Sequence, residues 1–476
     1  MTDIDKRPTL LDNEARGGDT AEGGFSFQEA VIMASIPSWL AQDGFTMAIR
    51  EAMADTEAAY FLPGRGLVRD AIEAKSFQLT PSPFWEEIAH FRELDRGSPG
   101  TFQWFTLAST GVSEALSPLV NGLRRVRDPY EFYGPASGVA EASFAEYVAK
   151  VEALEHTRDE AHFLFERTLI SHDWTPGGAN AEAIFRQRLE EHFPEFTGYP
   201  AAARKTAFQN LLALVKSRKA KPIHRREIET LLDAARPADE PSPSKMLKVH
   251  TAKDDAARPA GAVKFDWTEF FGGEARTYPP AAAWERVTTQ LAATVRWVQE
   301  SGRPRSIRLT GDRRLSVALA LGAHFSAVAG FSVEMEHRGE VWATHRHPAP
   351  ATKRQHIAES FIPGTGAGLV VSIGVIRPVN GDVDAYVRTS ELAGAPSLHL
   401  QVPEAVSTSE EGNALAAQLK ELVAAKAAEL RPSSIHLFYG GPSHLALFLG
   451  HRWNTSLPTQ LYEWCRAGVY CPTAKT

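Results

Sequence analysis

The sequence predicts an α/β protein with two domains, and three observations lead to this fold class. A 20-residue segment occurs twice in the second half of the chain, at 303–322 and 431–450, with 9 identical positions. A stretch rich in Pro, Ser and acidic residues divides the chain between 236 and 262. The first half contains two β-type apolar runs joined at Pro63–Gly66, which predicts a hairpin.

The composition is that of a soluble globular protein. A chain of 476 residues has room for two or three domains, and 43% hydrophobic and 23% charged residues are ordinary values. No apolar run approaches the roughly 18 residues of a membrane helix, and the polar start lacks a signal-peptide core. Two cysteines, Cys465 and Cys471, fit a reducing compartment. We therefore expect a cytoplasmic protein that makes no membrane contact.

Four segments are predicted along the chain. Residues 1–20 form a flexible tail, and residues 21–235 form the first domain. Residues 236–262 form a linker, because a segment of this composition cannot bury enough apolar surface to build a core. Residues 263–476 form the second domain.

The hairpin of the first domain carries a catalytic signal. Asp55 stands at the head of its first strand, while Glu73 and Lys75 are two residues apart on the returning strand and project from the same face. An Asp followed by Glu-x-Lys is the constellation of restriction-type nucleases. Asp55 and Glu73 would hold Mg²⁺ or Mn²⁺, and Lys75 would orient water or offset charge in the transition state. Glu29 and Glu51 are second-choice ligands.

A structural alternative exists for the same hairpin, because Glu-x-Lys also occurs by chance and these two side chains then form a solvated strand face. Two basic runs favour the nuclease interpretation, at Arg124–Arg127 and Lys216–Arg226, since they suit contacts with phosphates. The segment from about 201 to 235 predicts two short helices that would grip double-stranded DNA. The net charge of −7 gives no global attraction to DNA, so such contacts must be local.

The duplicated segment predicts two Rossmann-like halves. Each copy consists of a short apolar strand, a break at Gly or Pro, and an apolar helix. Amphipathic helices precede the copies at 284–301 and 412–430, and β-type runs follow them. Two such halves predict a pseudo-symmetric pair of parallel sheets, whose ligands lie outside the carboxyl ends of the strands. The alternative is a duplicated scaffold without a ligand.

We expect the loops after the two repeated strands to face a shared pocket. Their glycines let a ligand approach the backbone, and the following helices offer N–H donors to an anion. Arginines in the first loop suit phosphate, and the tyrosine in the second suits a base. Trp342 either stacks on a base or belongs to the core. A Gly-x-Gly-x-x-Gly fingerprint is absent, which disfavours NAD and FAD. The predicted ligand-contacting residues are Thr310, Gly311, Arg313, Arg314, Trp342, Tyr439, Gly440, Gly441, Pro442 and Ser443.

The second copy and the residues after it resemble a known family. Ile435–Gly450, Gln460–Trp464 and the closing Tyr470-Cys-Pro-Thr473 are similar to the SAVED domain, the sensor module of bacterial CBASS antiphage systems, which is built from two fused CARF-like halves. The Gly-Gly-Phe-x-Phe-Gln helix near the start, with Asp55 and Glu73-x-Lys75, is similar to the nuclease domain of CD-NTase-associated endonucleases. At this position many relatives have a motif similar to Gln-x-Lys, whereas this chain has Glu-x-Lys. The change from Gln to Glu still leaves a competent set of metal ligands.

The resemblance implies a restriction-endonuclease-like domain followed by a SAVED domain of two CARF/Rossmann-like halves. It further implies a metal-dependent endonuclease that degrades double-stranded DNA when a cyclic oligonucleotide binds, with a cyclic trinucleotide favoured over a dinucleotide. Because a flexible linker transmits torque poorly, we expect activation by self-association. The alternative is a nucleotide-binding adaptor that has lost catalysis.

Overall fold

In a computed structural model of the protein, the chain divides into two compact units. The first unit comprises Met1–Phe61 and Leu67–Ser242, and the second comprises Leu62–Gly66 and Pro243–Thr476. The residues described, with side chains except at 13–25, 131, 178 and 179, are 13–133, 137–172, 174, 178–237, 246–251, 260–272, 276–346, 354–453 and 457–476. No helix within these ranges is both long and apolar enough to cross a bilayer.

A six-stranded mixed sheet forms the centre of the first unit. Its strands are β1 (Phe45–Arg50), β2 (Thr56–Leu62), β3 (Gly66–Leu79), β4 (Phe102–Val112), β5 (Thr168–Ser171) and β6 (Ile223–His224). They lie in the order β5-β4-β3-β2-β1-β6. β1 is antiparallel to β2 and β6, whereas β3, β4 and β5 are mutually parallel. The predicted hairpin turn is confirmed, with positive φ at Gly64 and Gly66.

Helices cover both faces of this sheet. They are α1 (Asn13–Ala41), α2 (Pro81–Gly97), α3 (Ser117–Arg127), α4 (Tyr130–Tyr133), α5 (Gly138–Glu152), α6 (Arg158–Arg167), α7 (Gly178–His192), α8 (Ala201–Ser217) and α9 (Arg225–Asp233). One apolar core contains residues of α1, α7, α8 and α9, and a second contains residues of α2, α3, α5 and α6. The two cores take alternate residues of β3, Ile72 and Ala71, so the sheet is the middle of three layers.

The second unit contains two sheets. Its strands are β7 (Leu247–His250), β8 (Val263–Lys264), β9 (Ser306–Thr310), β10 (Ser332–His337), β11 (Glu340–Ala343), β12 (Ala358–Ile362), β13 (Gly368–Val375), β14 (Ser397–Val402), β15 (Ser434–Gly440), β16 (Thr459–Arg466) and β17 (Val469–Lys475). Its helices are α10 (Glu285–Glu300), α11 (Leu315–His324), α12 (Asn380–Thr389), α13 (Ser409–Leu430) and α14 (Ser443–Arg452). The sheet orders are β11-β10-β9-β7-β8 and β12-β14-β13-β15-β16-β17.

The two sheets confirm the predicted pseudo-symmetry. β9, β10 and β11 have the same order and directions as β15, β16 and β17, with a parallel pair followed by an antiparallel one. β7 then corresponds to β13, since each is parallel to the repeated strand beside it. The strand, break and helix of each copy lie within a few residues of their predicted positions.

The repeated helices α11 and α14 cross at a pair of equivalent glycines. A Cβ added to Gly322 would lie 2.2 Å from the carbonyl oxygen of Leu447, and one added to Gly450 would lie 2.2 Å from that of Leu319. Neither position has space for a methyl group, because backbone faces backbone at the crossing. The last identical residue of the repeat is therefore the one that lets the two halves pack together.

Two predicted boundaries are corrected by the structure. α1 begins at Asn13, so at least residues 13–20 of the predicted tail are helical, while residues 1–12 lie outside the described ranges. β7 lies inside the predicted linker 236–262 and pairs with β9. A strand that fills the interior of a sheet cannot act as a linker, so the second unit begins before residue 263. Residues 238–245 and 252–259 of that segment also lie outside the described ranges.

Candidate functional site

Asp55 and Glu73 are brought together by the hairpin of the first unit. Asp55 lies just before β2, and one of its carboxylate oxygens, Oδ2, accepts the backbone N–H of Ala74 at 2.8 Å. The backbone N–H of Asp55 donates in return to Glu73 Oε1 at 3.3 Å. Because β2 and β3 are neighbours in the sheet, this reciprocal contact fixes the two carboxylates against each other.

Burial places Glu73 in an unusual electrostatic environment. Glu73 is only 7% exposed, which does not fit a solvated strand face. Burial and, next, the negative charge of Asp55 raise the pKa of Glu73 from 4.5 to about 8, although Lys75 partly opposes them. Two carboxylates in such proximity favour either a shared proton or a bound cation.

Lys75 has a partner that the sequence pattern did not identify. Its Nζ lies 3.6 Å from Glu73 Oε2 but 2.6 Å from Glu87 Oε1, on α2. Burial opposes the charge of Lys75, yet the hydrogen bond and charge of Glu87 outweigh it and raise the pKa of the amine. Glu87 therefore keeps Lys75 protonated and positions it beside the carboxylates.

Gln28, on α1, is a second residue that was missed. Its Nε2 donates to Asp55 Oδ1 at 2.7 Å, so both carboxylate oxygens of Asp55 are held. Its Oε1 is buried and has no hydrogen-bond partner. The only sequence signal was its place in the Gly-Gly-Phe-x-Phe-Gln helix, to which no role was assigned.

The residues present suit a hard cation in donor type, although the set is sparse. The carboxylates of Asp55 and Glu73 and the partnerless Oε1 of Gln28 are all oxygen donors, the kind that Mg²⁺ and Mn²⁺ prefer. Among the described residues, no group of three or more His, Cys, Asp or Glu side chains is close enough to hold a metal. Remaining positions would therefore belong to water or phosphate oxygens.

The second-choice ligands lie in a separate ion-pair network. Glu29 contacts Arg50 at 3.0 Å and Lys216 at 3.3 Å. Glu51 contacts Arg50 at 3.4 Å and Lys219 at 2.7 Å. These carboxylates are thus paired with basic residues, and Glu51 meets Asp55 through the backbone, where its N–H donates to the Asp55 carbonyl at 2.9 Å.

The basic run Lys216–Arg226 is largely engaged within the protein. Besides the ion pairs of Lys216 and Lys219, Arg218 pairs with Glu227, and Arg225 pairs with Glu229 at 2.7 Å. The run lies on α8, β6 and α9, which confirms two helices but adds a short strand between them. Two of its exposed cations, Lys221 and Arg226, make no ion pair in the part of the chain that is described, so they are the ones most available to phosphate.

We call the loop after β9, residues 310–314, the first sensor loop and the loop after β15, residues 439–443, the second sensor loop. The predicted arginines of the first sensor loop contact the protein itself. Arg313 donates to the carbonyl of Gly311 at 2.8 Å and lies 3.2 Å from the sulfur of Met335. Burial lowers the pKa of its guanidinium to about 10. Arg314 donates to the carbonyl of Phe271 and lies over the ring of Tyr278. Both would have to exchange a present contact to meet a phosphate.

The aromatic residues of the predicted pocket are also packed. Trp342 is 3% exposed and lies against His337, His444 and Phe448, which is the arrangement of a core residue. Tyr439 is 6% exposed, and its hydroxyl donates to the carbonyl of Pro442 at 3.2 Å. Truncating either side chain would therefore disturb packing as well as any ligand.

A side-chain contact fixes the start of the first sensor loop, and the glycines of the second sensor loop are closely packed. Thr310 Oγ1 lies 2.9 Å from His250 Nδ1, and Gly311 has a φ of +85°. A Cβ on Gly440 would lie 2.3 Å from Val379, and one on Gly441 would lie 2.8 Å from the hydroxyl of Tyr439. Ser443 begins α14. The predicted loop residues therefore do lie at the carboxyl ends of β9 and β15, whereas Trp342 lies in β11.

The starts of the two repeated helices differ chemically. Ser316, on α11, donates its backbone N–H and its hydroxyl to the buried carboxylate of Glu463, at 2.7 and 2.9 Å. His444 is the equivalent residue of α14, and strand register makes His337 the equivalent of Glu463, because Val333 pairs with Ile307 as Thr459 pairs with Ile435. The rings of His444 and His337 lie in contact, with centroids 4.0 Å apart and a tilt of 38°. One helix start thus holds a buried carboxyl group and the other a histidine pair.

Comparison with known proteins assigns the second unit to a sensor family. Residues 290–475 match the profile of SAVED, the SMODS-associated and fused to various effectors sensor domain. CD-NTase-associated protein 4 of an Acinetobacter species is 28% identical over 468 residues, which cover 98% of this chain and 99% of that protein. The protein of the same name from Moraxella osloensis is 26% identical over 471 residues, covering 98% and 99%.

Solved structures agree over nearly the whole chain. The Acinetobacter baumannii Cap4 SAVED/CARF-domain containing receptor with the cyclic trinucleotide 3′3′3′-cAAA has a TM-score of 0.82 and 26% identity, covering 95% of this chain and 98% of that one. The same receptor with 2′3′3′-cAAA has a TM-score of 0.81 and 25% identity at the same coverage. The expected α/β fold, with a C-terminal SAVED domain, is confirmed.

Proposed function

We propose that the chain is a SAVED-domain effector of CBASS, of the CD-NTase-associated protein 4 type, and that it acts as a DNA endonuclease activated by a cyclic oligonucleotide. The observation that carries the proposal is the convergence of Asp55, Glu73 and Lys75 on one hairpin. Two adjoining carboxylates beside a protonated lysine are the groups that metal-assisted phosphodiester hydrolysis requires.

The residues of the hairpin have distinct roles in the proposed mechanism. Asp55 and Glu73 would hold Mg²⁺ or Mn²⁺, with Gln28 orienting Asp55 through its amide. A bound metal ion of this kind polarises a phosphoryl oxygen and lowers the pKa of water. Lys75, which Glu87 keeps protonated, donates hydrogen bonds to the attacking water or to the phosphate as negative charge develops.

Metal binding should depend on pH because Glu73 must lose its proton to act as a ligand. Its pKa of about 8 lies above the 4.5 of an unperturbed Glu, so the metal-free fold is stabilised at pH below 4.5 and loses this contribution as the pH rises through 8. The Mg²⁺ concentration for half-saturation should then fall about tenfold per pH unit up to pH 8 and level off above it. Calorimetric titration at several pH values measures this dependence.

Two variants separate Glu73 from other carboxylates. Glu73→Gln should bind Mg²⁺ weakly and with little pH dependence, whereas Glu146→Gln, at an exposed position of α5, should behave as the parent chain. A parent chain whose Mg²⁺ affinity is the same at pH 6 and pH 8 would contradict the assignment of Glu73.

The sensor ligand is inferred from the second unit and its relatives. The solved relatives are described with cyclic trinucleotides, and this chain has the same fold at 26% identity. We infer that a cyclic trinucleotide binds at the carboxyl ends of the parallel strands, near the loops that follow β9 and β15. Compact rings carry one negative charge per phosphate, which Arg313 and Arg314 would meet after exchanging their present partners.

Activation is proposed to occur by self-association. In this proposal the hairpin already supplies Asp55, Glu73 and Lys75, so cleavage in the resting chain is limited by something other than these residues. Most cations of the run Lys216–Arg226 are paired internally, so this run of one copy offers few free charges to DNA. Several copies on one duplex would combine weak contacts into strong binding.

A single experiment tests cleavage and assembly together. The full chain is mixed with plasmid DNA, Mg²⁺ and a panel of cyclic di- and trinucleotides, and degradation and light scattering are followed in parallel. We expect degradation only when one ring and Mg²⁺ are both present, with a rise in particle mass. A ring that binds without any degradation would instead favour the nucleotide-binding adaptor, and degradation by a particle that stays monomeric would contradict assembly.

A further inference from the structure

A polar cavity in the second unit has no residue of the two sensor loops in its lining, although its lining residue Val379 packs against Gly440 of the second loop. It has a volume of about 220 Å³ and lies at the carboxyl ends of β13 and β14. Its walls are residues of β12, β13 and β14 and the start of α12. The chain runs from β13 through α12 into β14, which pairs with one edge of β13, and β15 pairs with the other edge. The cavity therefore borders the point where the strand order reverses.

A buried histidine lines this cavity without an aligned hydrogen bond on one ring nitrogen. His399 is 6% exposed, and its Nδ1 lies 2.7 Å from Ser372 Oγ. Its Nε2 lies 3.2 Å from Asp384 Oδ1, but the angle does not allow a hydrogen bond. Buried polar atoms are almost always hydrogen-bonded, so this ring nitrogen is suited to bond a polar group that enters the cavity.

The charges around the cavity identify the chemical group that it fits. Within the described part of the chain, no Lys or Arg lines it, which argues against a phosphate. The lining includes the carboxylate of Glu359 and the side-chain amides of Asn380 and Gln401. Carboxylates accept hydrogen bonds from amino groups, and Asn or Gln amides pair with the edge of adenine. A neutral heterocycle with an exocyclic amine meets these conditions.

The turn beside the cavity is strained and ends in an exposed cation. Ile376 has a φ of +70°, and Arg377 donates its backbone N–H to the carbonyl of Val375 at 2.8 Å, which makes a γ-turn. Positive φ is unfavourable for a β-branched residue and is retained mainly where function requires it. Gly374 and Pro378, on either side of this turn, line the cavity, and Arg377 is exposed beside it.

We propose that this cavity takes the edge of one amino-bearing nucleobase of the activating ring, while Arg377 at its border binds a neighbouring phosphate. The inference rests on the proposed function, since it assigns a subsite to the same cyclic oligonucleotide. According to this proposal, the cavity determines which base is accepted. The sensor loops and Arg377 contact the sugar–phosphate backbone of the ring.

The test compares two tryptophan substitutions on one edge strand. Ser360 is exposed and lines the cavity, so Ser360→Trp fills it from the open side. Ile362, two residues along β12, is 46% exposed and does not line it, so Ile362→Trp is the matched control. Calorimetry with the full chain measures 3′3′3′-cAAA, the ring of three uridine nucleotides, and the other rings of the panel.

Ser360→Trp should weaken binding of the tightest ring by about tenfold or more, because one base contact is lost. Ile362→Trp should leave the affinity unchanged. Asn380→Ala should reduce the preference for adenine over uracil. Arg377→Ala should weaken both rings equally and reduce the salt dependence. Equal affinities of the two tryptophan variants would contradict the assignment of the cavity as a base subsite but would leave the proposed function unaffected. A folded parent chain that binds no ring of the panel would contradict both.

Discussion

Replacing Lys75 with Ala should lower plasmid cleavage by about 100-fold or more while the affinity for the activating ring stays the same. The amine lies beside the carboxylates of the hairpin and is held by Glu87 at 2.6 Å, so it is placed to act on the phosphate during the reaction. Removing one preorganised donor to a developing negative charge typically costs about 10²–10³ in rate. Cleavage is measured under saturating ring and Mg²⁺, and ring binding by calorimetry.

Two further variants keep this prediction specific. Lys150→Ala removes an exposed lysine of α5 that pairs with Glu146, and it should not affect either quantity. Glu87→Gln should leave Lys75 in place but shift the alkaline limb of the pH–rate profile to lower pH, because Glu87 raises the pKa of the amine. Parent-like cleavage by Lys75→Ala would remove the catalytic assignment of the hairpin.

Substituting Gly322 by Ala should destabilise the second unit by about 3 kcal/mol or more, against the usual sign for a helix. In a helix, Gly→Ala normally stabilises by up to about 1 kcal/mol. At Gly322 the added methyl would lie 2.2 Å from the carbonyl of Leu447, and the neighbour is backbone, which cannot rotate away. The helices α11 and α14 would have to separate, with loss of packing along the crossing.

Gly381→Ala provides the matched control. Gly381 lies in α12, and a Cβ there would meet no atom within 4 Å, so this change should be neutral or stabilising. Gly450→Ala should resemble Gly322→Ala, since the two positions face each other. Chemical unfolding of the full chain gives the free energies, and similar stability of the Gly322 and Gly381 variants would show that the crossing can relax.

The sequence predicted those parts of the fold whose side-chain period is regular. The repeated strands and helices were located to within a few residues because their apolar runs are long and their breaks carry Gly or Pro. β7 was missed because its four residues lie among polar segments, and its assignment depends on pairing with β9, far along the chain. The start of α1 was missed because four glycines, Gly17, Gly18, Gly23 and Gly24, disfavour helix locally.

The residues of the candidate site that lie close together in sequence could be predicted, and those that come from distant segments could not. Period 2 in β3 placed Glu73 and Lys75 on one face, and the hairpin brought Asp55 to them. Gln28 and Glu87 reach the same place from helices, so no spacing rule connects them to the hairpin. Trp342 had two interpretations at the sequence level, and only its neighbours show that it is packed as a core residue.

The contrast between Glu463 and His337 gives the sensor a direction. Two identical subunits that pair around a two-fold axis must present the same group at both helix starts, because each residue occurs twice. Joining both halves in one polypeptide removes that constraint, and here one start is closed by a carboxylate while the other carries paired imidazoles. A ring bound near these helix starts, as proposed above, would meet unlike ends, so its nucleotides would no longer be interchangeable, and turning it over would produce a different complex with a different energy.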